Sequence, residues 1–479
     1  MNRRNSLSRS RRRRRRRVDV KRLAISCGIL AAVIALIVLV ICLATGGEED
    51  TTAMPSIIPE SAVTPTPEPT AEPSPEPASE PISQPETPAE ASGETGEVTE
   101  DEPLQPLETV IEYDDPVIPE ATPATGTVTG GRTIHMRVVG DIMFHQDQLD
   151  AAKLPDGSYD FTLQFQFIAP SLRSADYTIA NLETTVGKYK NSDYSGYPQF
   201  NTPEVVLTTL QDDCGIDFFT LANNHMLDRW FDGMVNDVNL MEKYGFDYVG
   251  AYRTQEERNA PVIYEINGIK VGFVAYTHTT NTMENHCDEA AKKYGVPYLY
   301  KSDIEADVKK LKDAGAEIII ALPHWGTENT HIPDDTQEKY ARRLAAAGVD
   351  IILGSHSHMV EPMLIVEGTD DSGKQRQVFC IYSLGNFISG MTMKRTDNGI
   401  ILDFTIVEQP DGTFRVENVG YVPVYVWKHA GKFTVLPILK YTGENRPDAM
   451  SDEQYDRMVE SYYEITGVLG TDQFTVLPE

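Results

Sequence analysis

Two histidines, His356 and His358, stand two residues apart in the run Gly354-Ser-His-Ser-His-Met-Val-Glu-Pro362, directly after an apolar stretch at 350–353. On an extended or tightly turned backbone, residues two apart point the same way, so both imidazoles can converge on one point. Neutral imidazole is the commonest nitrogen ligand of a divalent metal. Alone, such a pair is more often part of an ordinary loop than of a metal site; the rest of the chain adds weight to the second reading. Asp141 follows the apolar run 134–139, Glu183 follows 177–180, Asn224 and His225 follow 216–222, and His324 follows 317–322. Carboxylate, amide and imidazole without thiolate suit one or two Mn, Fe or Zn ions in a hydrolytic rather than a structural site. Two ions about 3.5–4 Å apart clamp a phosphoester and generate hydroxide at neutral pH. In such a site Asn224 is a ligand, and the adjacent His225 can protonate the leaving group. Asn181, Asn223, Asp228, Glu328 and Asn386 lie in the same polar segments and are expected to contact substrate.

The elements that must deliver these groups read as alternating strands and helices, an α/β pattern. Strands are expected at 134–139, 177–180, 216–222, 246–249, 317–322, 350–353 and 377–383, with helices at 203–214, 232–244 and 304–311. Asp334 with Gln337 three residues later gives a capping-box start to another helix. Asn267-Gly268 between two apolar runs marks a hairpin turn, and further strands are expected at 399–407, 414–419 and 422–427. Each polar cluster then falls at a strand end, where open α/β sheets hold their ligands. The tail is expected to be helical around 453–463.

Composition divides the chain into five parts: a basic tail (1–22), an uncharged apolar stretch (23–45), a Pro/Glu/Thr-rich linker (46–130), the α/β domain (131–430) and a C-terminal extension (431–479). The apolar stretch is long enough to cross a bilayer as one helix and exceeds the core of a cleaved signal peptide. The basic residues before it place the amino end in the cytoplasm and everything after residue 46 outside the cell. Residues 51–125 hold 16 of the 30 prolines, so this segment cannot bury enough apolar surface to fold and is expected to be a disordered, extended stalk. The formal charge of −30 conceals an asymmetry. With twelve basic and one acidic residue in 1–22, the remainder carries 30 basic against 71 acidic, a net −41. Nucleic acid is thereby excluded as a partner of the outer part. Five scattered cysteines, two of them in the apolar stretch, give no disulfide framework.

The succession Gly140-Asp-Ile-Met143, Asn181-Leu-Glu-Thr184, Ala222-Asn-Asn-His-Met-Leu-Asp228, His324-Trp-Gly-Thr-Glu328, Gly354-Ser-His-Ser-His358 and Ser383-Leu-Gly-Asn-Phe387 resembles the CapA-type poly-γ-glutamate capsule biosynthesis proteins. These are similar to the calcineurin-like metallophosphoesterases. The resemblance implies a metallophosphatase-like α/β/β/α sandwich from about Arg132 to Trp427. It also implies a metal shared by Asp141, Glu183 and His358, a second held by Asn224, His324 and His356, and His225 as proton donor. Two departures stand out. Met143 occupies a position where the phosphoesterase pattern has histidine, with His145 two residues further on as a substitute, and Glu183 replaces the bridging aspartate. The implied function is membrane-anchored hydrolysis or transfer on an anionic polymer or phosphoester, beside other capsule-synthesis membrane proteins. The alternative from a different class is a non-catalytic assembly partner that binds polymer ends in the same pocket.

Overall fold

The structure, a computed structural model, describes residue 116 and residues 131–188, 193–370 and 372–479. The expected basic tail, membrane helix and nearly all of the stalk lie outside the described residues. Among the described residues no helix is long and apolar enough to cross a membrane.

In chain order the strands are β1 (Thr133–Ile142), β2 (Tyr177–Leu182), β3 (Thr185–Val186), β4 (Asn201–Thr202), β5 (Phe218–Thr220), β6 (Asp247–Val249), β7 (Ile263–Ile266), β8 (Ile269–Thr277) and β9 (Ile318–His324). They continue with β10 (Ile351–Leu353), β11 (Met363–Thr369), β12 (Gln375–Ile381), β13 (Asn386–Ile388), β14 (Asn398–Glu408), β15 (Phe414–His429), β16 (Lys432–Pro437) and β17 (Thr475–Val476). The longer helices are α1 (Gln146–Ala152), α2 (Trp230–Tyr244), α3 (Ile304–Asp313), α4 (Asp335–Ala347) and α5 (Asp452–Leu469).

A nine-stranded sheet runs β16-β15-β14-β1-β2-β5-β6, with β13 beside β1 and β17 beside β15; a six-stranded sheet runs β11-β12-β10-β9-β8-β7. The middle of each is parallel, β1 with β2 and β5 in the first, and β8 with β9 and β10 in the second. Parallel strands are covered on both faces and therefore read as continuous apolar runs. The sheets pack face to face, with Phe218 of β5 4.4 Å from Phe273 of β8, and Phe404 of β14 6.1 Å from Phe379 of β12, ring centre to ring centre. Ile304, Val308 and Leu344 of α3 and α4 cover the outer face of the six-stranded sheet against Ile319, Ile352 and Val378. Helices α1, α2 and α5 lie against the nine-stranded sheet. The layers are therefore α/β/β/α.

Several elements differ from the sequence expectation. β1 and β9 run beyond their apolar cores, because the ladder continues through polar residues; Asp141 pairs with Asn181 and Asn386, and His324 with Thr277. Asp141 and His324 are thus held inside strands rather than in loops after them. The segment expected as one helix at 203–214 is a short α turn (Val205–Thr208) followed by a π turn (Thr209–Asp213). The strands expected at 414–419 and 422–427 are one, because β15 bridges Gly420 without losing its pairing to β14. β11 carries no strand alternation in the sequence, because it is an edge strand whose Leu364 and Ile365 are both exposed. Residues 431–479 do not stand apart. β16 and β17 extend the nine-stranded sheet, and Glu479 pairs with the buried Arg137 of β1.

Two glycines matter for the site. A Cβ on Gly140 would lie 1.9 Å from the Gly385 carbonyl oxygen, and one on Gly354 would lie 2.0 Å from that of Tyr382. No side chain fits at either contact; the first approach brings the 384–386 turn against β1, and the second brings the start of the histidine turn against the segment just past β12.

Candidate metal centre

Carboxyl ends of parallel strands from both sheets meet at one place. β1 brings Asp141, β2 leads to Glu183, β5 to Asn224 and His225, β9 brings His324, and β10 leads to His356 and His358. All are buried. Ligand atoms of Asp141, Glu183 and His358 lie within 4.8 Å of one another, and so do those of Glu183, His324 and His356. Glu183 belongs to both groups.

The turn that carries the two histidines is tightly wound. His356 has φ +100° and His358 φ +59°, a region that costs a non-glycine residue about 1 kcal/mol or more. The turn is braced from both sides, by the Asn329 N–H donating to the Ser357 carbonyl (2.8 Å) and the Trp325 N–H donating to that of Ser355 (3.1 Å). The imidazoles, 6.0 Å apart between ring centres, do not meet at one point; each serves a different group. His358 Nδ1 is 3.1 Å from Asp141 Oδ2 and 3.2 Å from Asn386 Oδ1. His356 Nδ1 is 3.0 Å from His324 Nε2, which is also 3.0 Å from Asn224 Oδ1 and 3.6 Å from Glu183 Oε1. Ser355 Oγ, 2.9 Å from His324 Nδ1, fixes the other side of that ring.

Electrostatics separate these groups. Burial, then the neighbouring imidazoles, holds His324 and His356 well below the usual histidine range, so both are neutral and have a lone pair to offer. Burial also pulls on His358, but the bond to Asp141 outweighs it and leaves this imidazole raised. Glu183 is wholly buried, and burial followed by repulsion from Asp141 and Glu328 pushes its carboxyl well above the ordinary value. Its Oε1 has no hydrogen-bond partner. Two neutral imidazole nitrogens, an amide oxygen and an orphaned carboxylate oxygen around one spot are the donor set a divalent cation satisfies. The residues present fit the metal.

Asn181 Nδ2 donates to Asp141 Oδ1 (2.7 Å) and Glu183 Oε2 (3.3 Å), and Asn223 Nδ2 donates to the Leu182 carbonyl (2.8 Å) and Asn181 Oδ1 (3.3 Å). These two amides, expected to contact substrate, are spent on orienting the ligands. Asn386 likewise sits on His358, with its Nδ2 donating to the Thr396 carbonyl. His225 Nδ1 is 2.7 Å from Asp228 Oδ2, which also accepts the Phe200 N–H (2.7 Å). Asp228 therefore orients His225, leaving Nε2 as the free nitrogen. Glu328 is exposed at the rim. Met143 is buried and offers no ligand, and His145 falls outside both groups. His278, an isolated histidine in the sequence, meets His356 edge-on with ring centres 4.6 Å apart. Its position just past β8 follows the same strand-end rule and was the available signal.

Behind the histidine turn, Glu361 is buried, accepts from Gln337 Nε2 (2.6 Å), and has its carboxyl pushed up to about 8, chiefly by burial. A carboxyl raised in the folded state stabilises the fold below its unfolded value near 4.5. That contribution is lost as pH rises toward 8, an upper bound of roughly 4–5 kcal/mol. Glu361→Gln is expected to match wild type in urea melts at pH 5 and to exceed it at pH 8. Parallel curves at both pH values would show that Glu361 is ionised throughout.

Residues 135–391, more than half of the chain, match the model of the bacterial capsule synthesis protein family PGA_cap. The chain belongs to that family. It is 29% identical over 258 residues to the PGA biosynthesis protein CapA of Bacillus subtilis, covering 53% of this chain and 63% of that one. It is 26% identical over 276 residues to the capsule biosynthesis protein CapA of Bacillus anthracis, covering 56% and 63%. The matches thus take in less than two thirds of either relative. Among solved structures, similarity extends to the calcineurin-like phosphoesterase YfkN of Bacillus subtilis (TM-score 0.33, 15% identity, 70% of this chain and 98% of that one). It extends also to the NAD nucleotidase of Haemophilus influenzae (TM-score 0.37, 12% identity, 72% and 65%).

Proposed function

We propose that this chain is a membrane-anchored, outward-facing capsule-synthesis protein that hydrolyses or transfers an anionic polymer or phosphoester group at a divalent-metal site. The observation that carries the reading is Glu183, a fully buried carboxylate with an unpartnered oxygen, shared by two ligand groups. Asp141 and His358 flank it on one side, His324, His356 and Asn224 on the other. A bound divalent ion there would polarise the substrate oxygen and lower the pKa of water. His225, held by Asp228, would deliver a proton to the leaving oxygen. The apolar stretch at 23–45 and the proline-rich linker after it support an anchor and a stalk.

A second reading, a polymer-binding assembly partner without catalysis, is favoured by Met143, buried where a histidine ligand was expected. Two measurements separate them. Elemental analysis of the full chain is expected to find at least one Mn, Fe or Zn ion, and His358→Ala and Asp141→Asn are expected to abolish polymer production in cells. Production that survives both substitutions but not removal of residues 131–479 would leave only the assembly role.

A further inference from the structure

Two more imidazoles border the pocket, and neither belongs to a ligand group. His278 lies against His356, its backbone N–H donates to the His324 carbonyl (3.0 Å), and its Nδ1 is buried without a partner. His145 lies on the other flank. Its ring meets Phe200 edge-on at 5.0 Å, and Phe200 in turn meets His225 at 4.7 Å. The Gly390 N–H donates to His145 Nδ1 (3.2 Å), which fixes the tautomer and leaves Nε2–H as a donor. Burial, with Lys428, His358 and His225 nearby, pushes His145 down to about 4, so this donor is uncharged.

An anionic substrate needs donors beyond the metal, and arginine or lysine is the usual supply. Here the nearby cations are committed elsewhere. Arg229 donates to the Asp228 and Gln199 carbonyls and to Ser195 Oγ, and Lys428 to the Gly390 and Met391 carbonyls. Among the described residues, no lysine or arginine nitrogen bonds to a member of either ligand group.

We propose that His145 and His278 are the anion-contacting residues of the pocket, each giving an imidazole N–H to an oxygen of the substrate's phosphate or carboxylate group. This assignment rests on the reading of the pocket as a site for anionic substrates. Fixed neutral donors in a buried site bind an oxyanion without the reorganisation that water requires. They also leave the metal ligands free of competing positive charge.

The test is calorimetric titration of the full chain, loaded with Mn²⁺, with inorganic phosphate and separately with glutarate. His145→Ala and His278→Ala are expected to keep wild-type metal content and to weaken binding of at least one anion about tenfold each. His145→Gln, whose amide can replace Nε2–H, and His278→Asn, whose amide can replace Nδ1–H, are expected to recover most of that loss. Loss of metal from the alanine variants, or unchanged affinity for both anions, overturns the assignment. Wild type that holds metal but binds neither anion overturns it too and leaves the metal site standing. Wild type without metal whose anion binding still depends on both histidines removes the metal reading and keeps this one.

Discussion

Glu183→Gln protein is expected to lose metal from both positions while its metal-free form becomes harder to unfold. The two effects have one origin. Glu183 is the member common to both ligand groups, so a neutral amide there weakens each. The loss at each position should exceed the 10–100-fold that removal of an outer-shell partner costs. Without metal, the same carboxyl is a liability, since folding must either bury its charge or draw a proton to it; its raised pKa expresses that cost. The amide avoids both and is expected to stabilise the metal-free protein by roughly 1–2 kcal/mol. Melting curves with chelator and with Mn²⁺ should therefore move in opposite directions relative to wild type. A variant that retains full metal content would refute the shared-ligand role.

The second large effect is on turnover. On the proposed reading, His225→Ala is expected to lower phosphoester hydrolysis by about 10²–10⁴-fold with metal content intact, the usual range for a general acid. Asp228→Asn, which spoils orientation rather than removing the proton, is expected to cost about 10–100-fold. Leaving groups discriminate a proton donor from a structural histidine. A nitrophenolate departs without help, so the defect should be small for nitrophenyl esters and large for alkyl esters. Equal losses for both classes would mean that His225 only packs against Phe200.

Much of the ligand set was legible because parallel strands buried on both faces announce themselves as apolar runs, and polar residues at their ends stand out against them. Asp141, Glu183, Asn224, His324, His356 and His358 are brought together on that ground. What the sequence hid was division of labour among neutral groups. Asn181 and Asn223 look like substrate contacts in one dimension, and only the fold reveals that their donors are aimed at Asp141, Glu183 and a backbone carbonyl. His278 stands alone in the sequence, and nothing local indicates that β8 lies beside β9. The edge strand β11 carries little signal for a related reason, since its half-exposed residues lack the dense apolar signature of the centre.

Asp141 and His358 are 217 residues apart in sequence, on strands of different sheets or turns that follow them. Such a pocket cannot exist in any partly folded chain; it forms only when the two sheets have already docked. An ion seated there acts as a clasp closed last, binding the native state alone. Its grip then adds to stability as RT ln(1 + [M]/Kd), about 2.7 kcal/mol at a hundredfold excess over Kd. The lifetime of such a fold would thereby be set in part by the trace-metal supply around it.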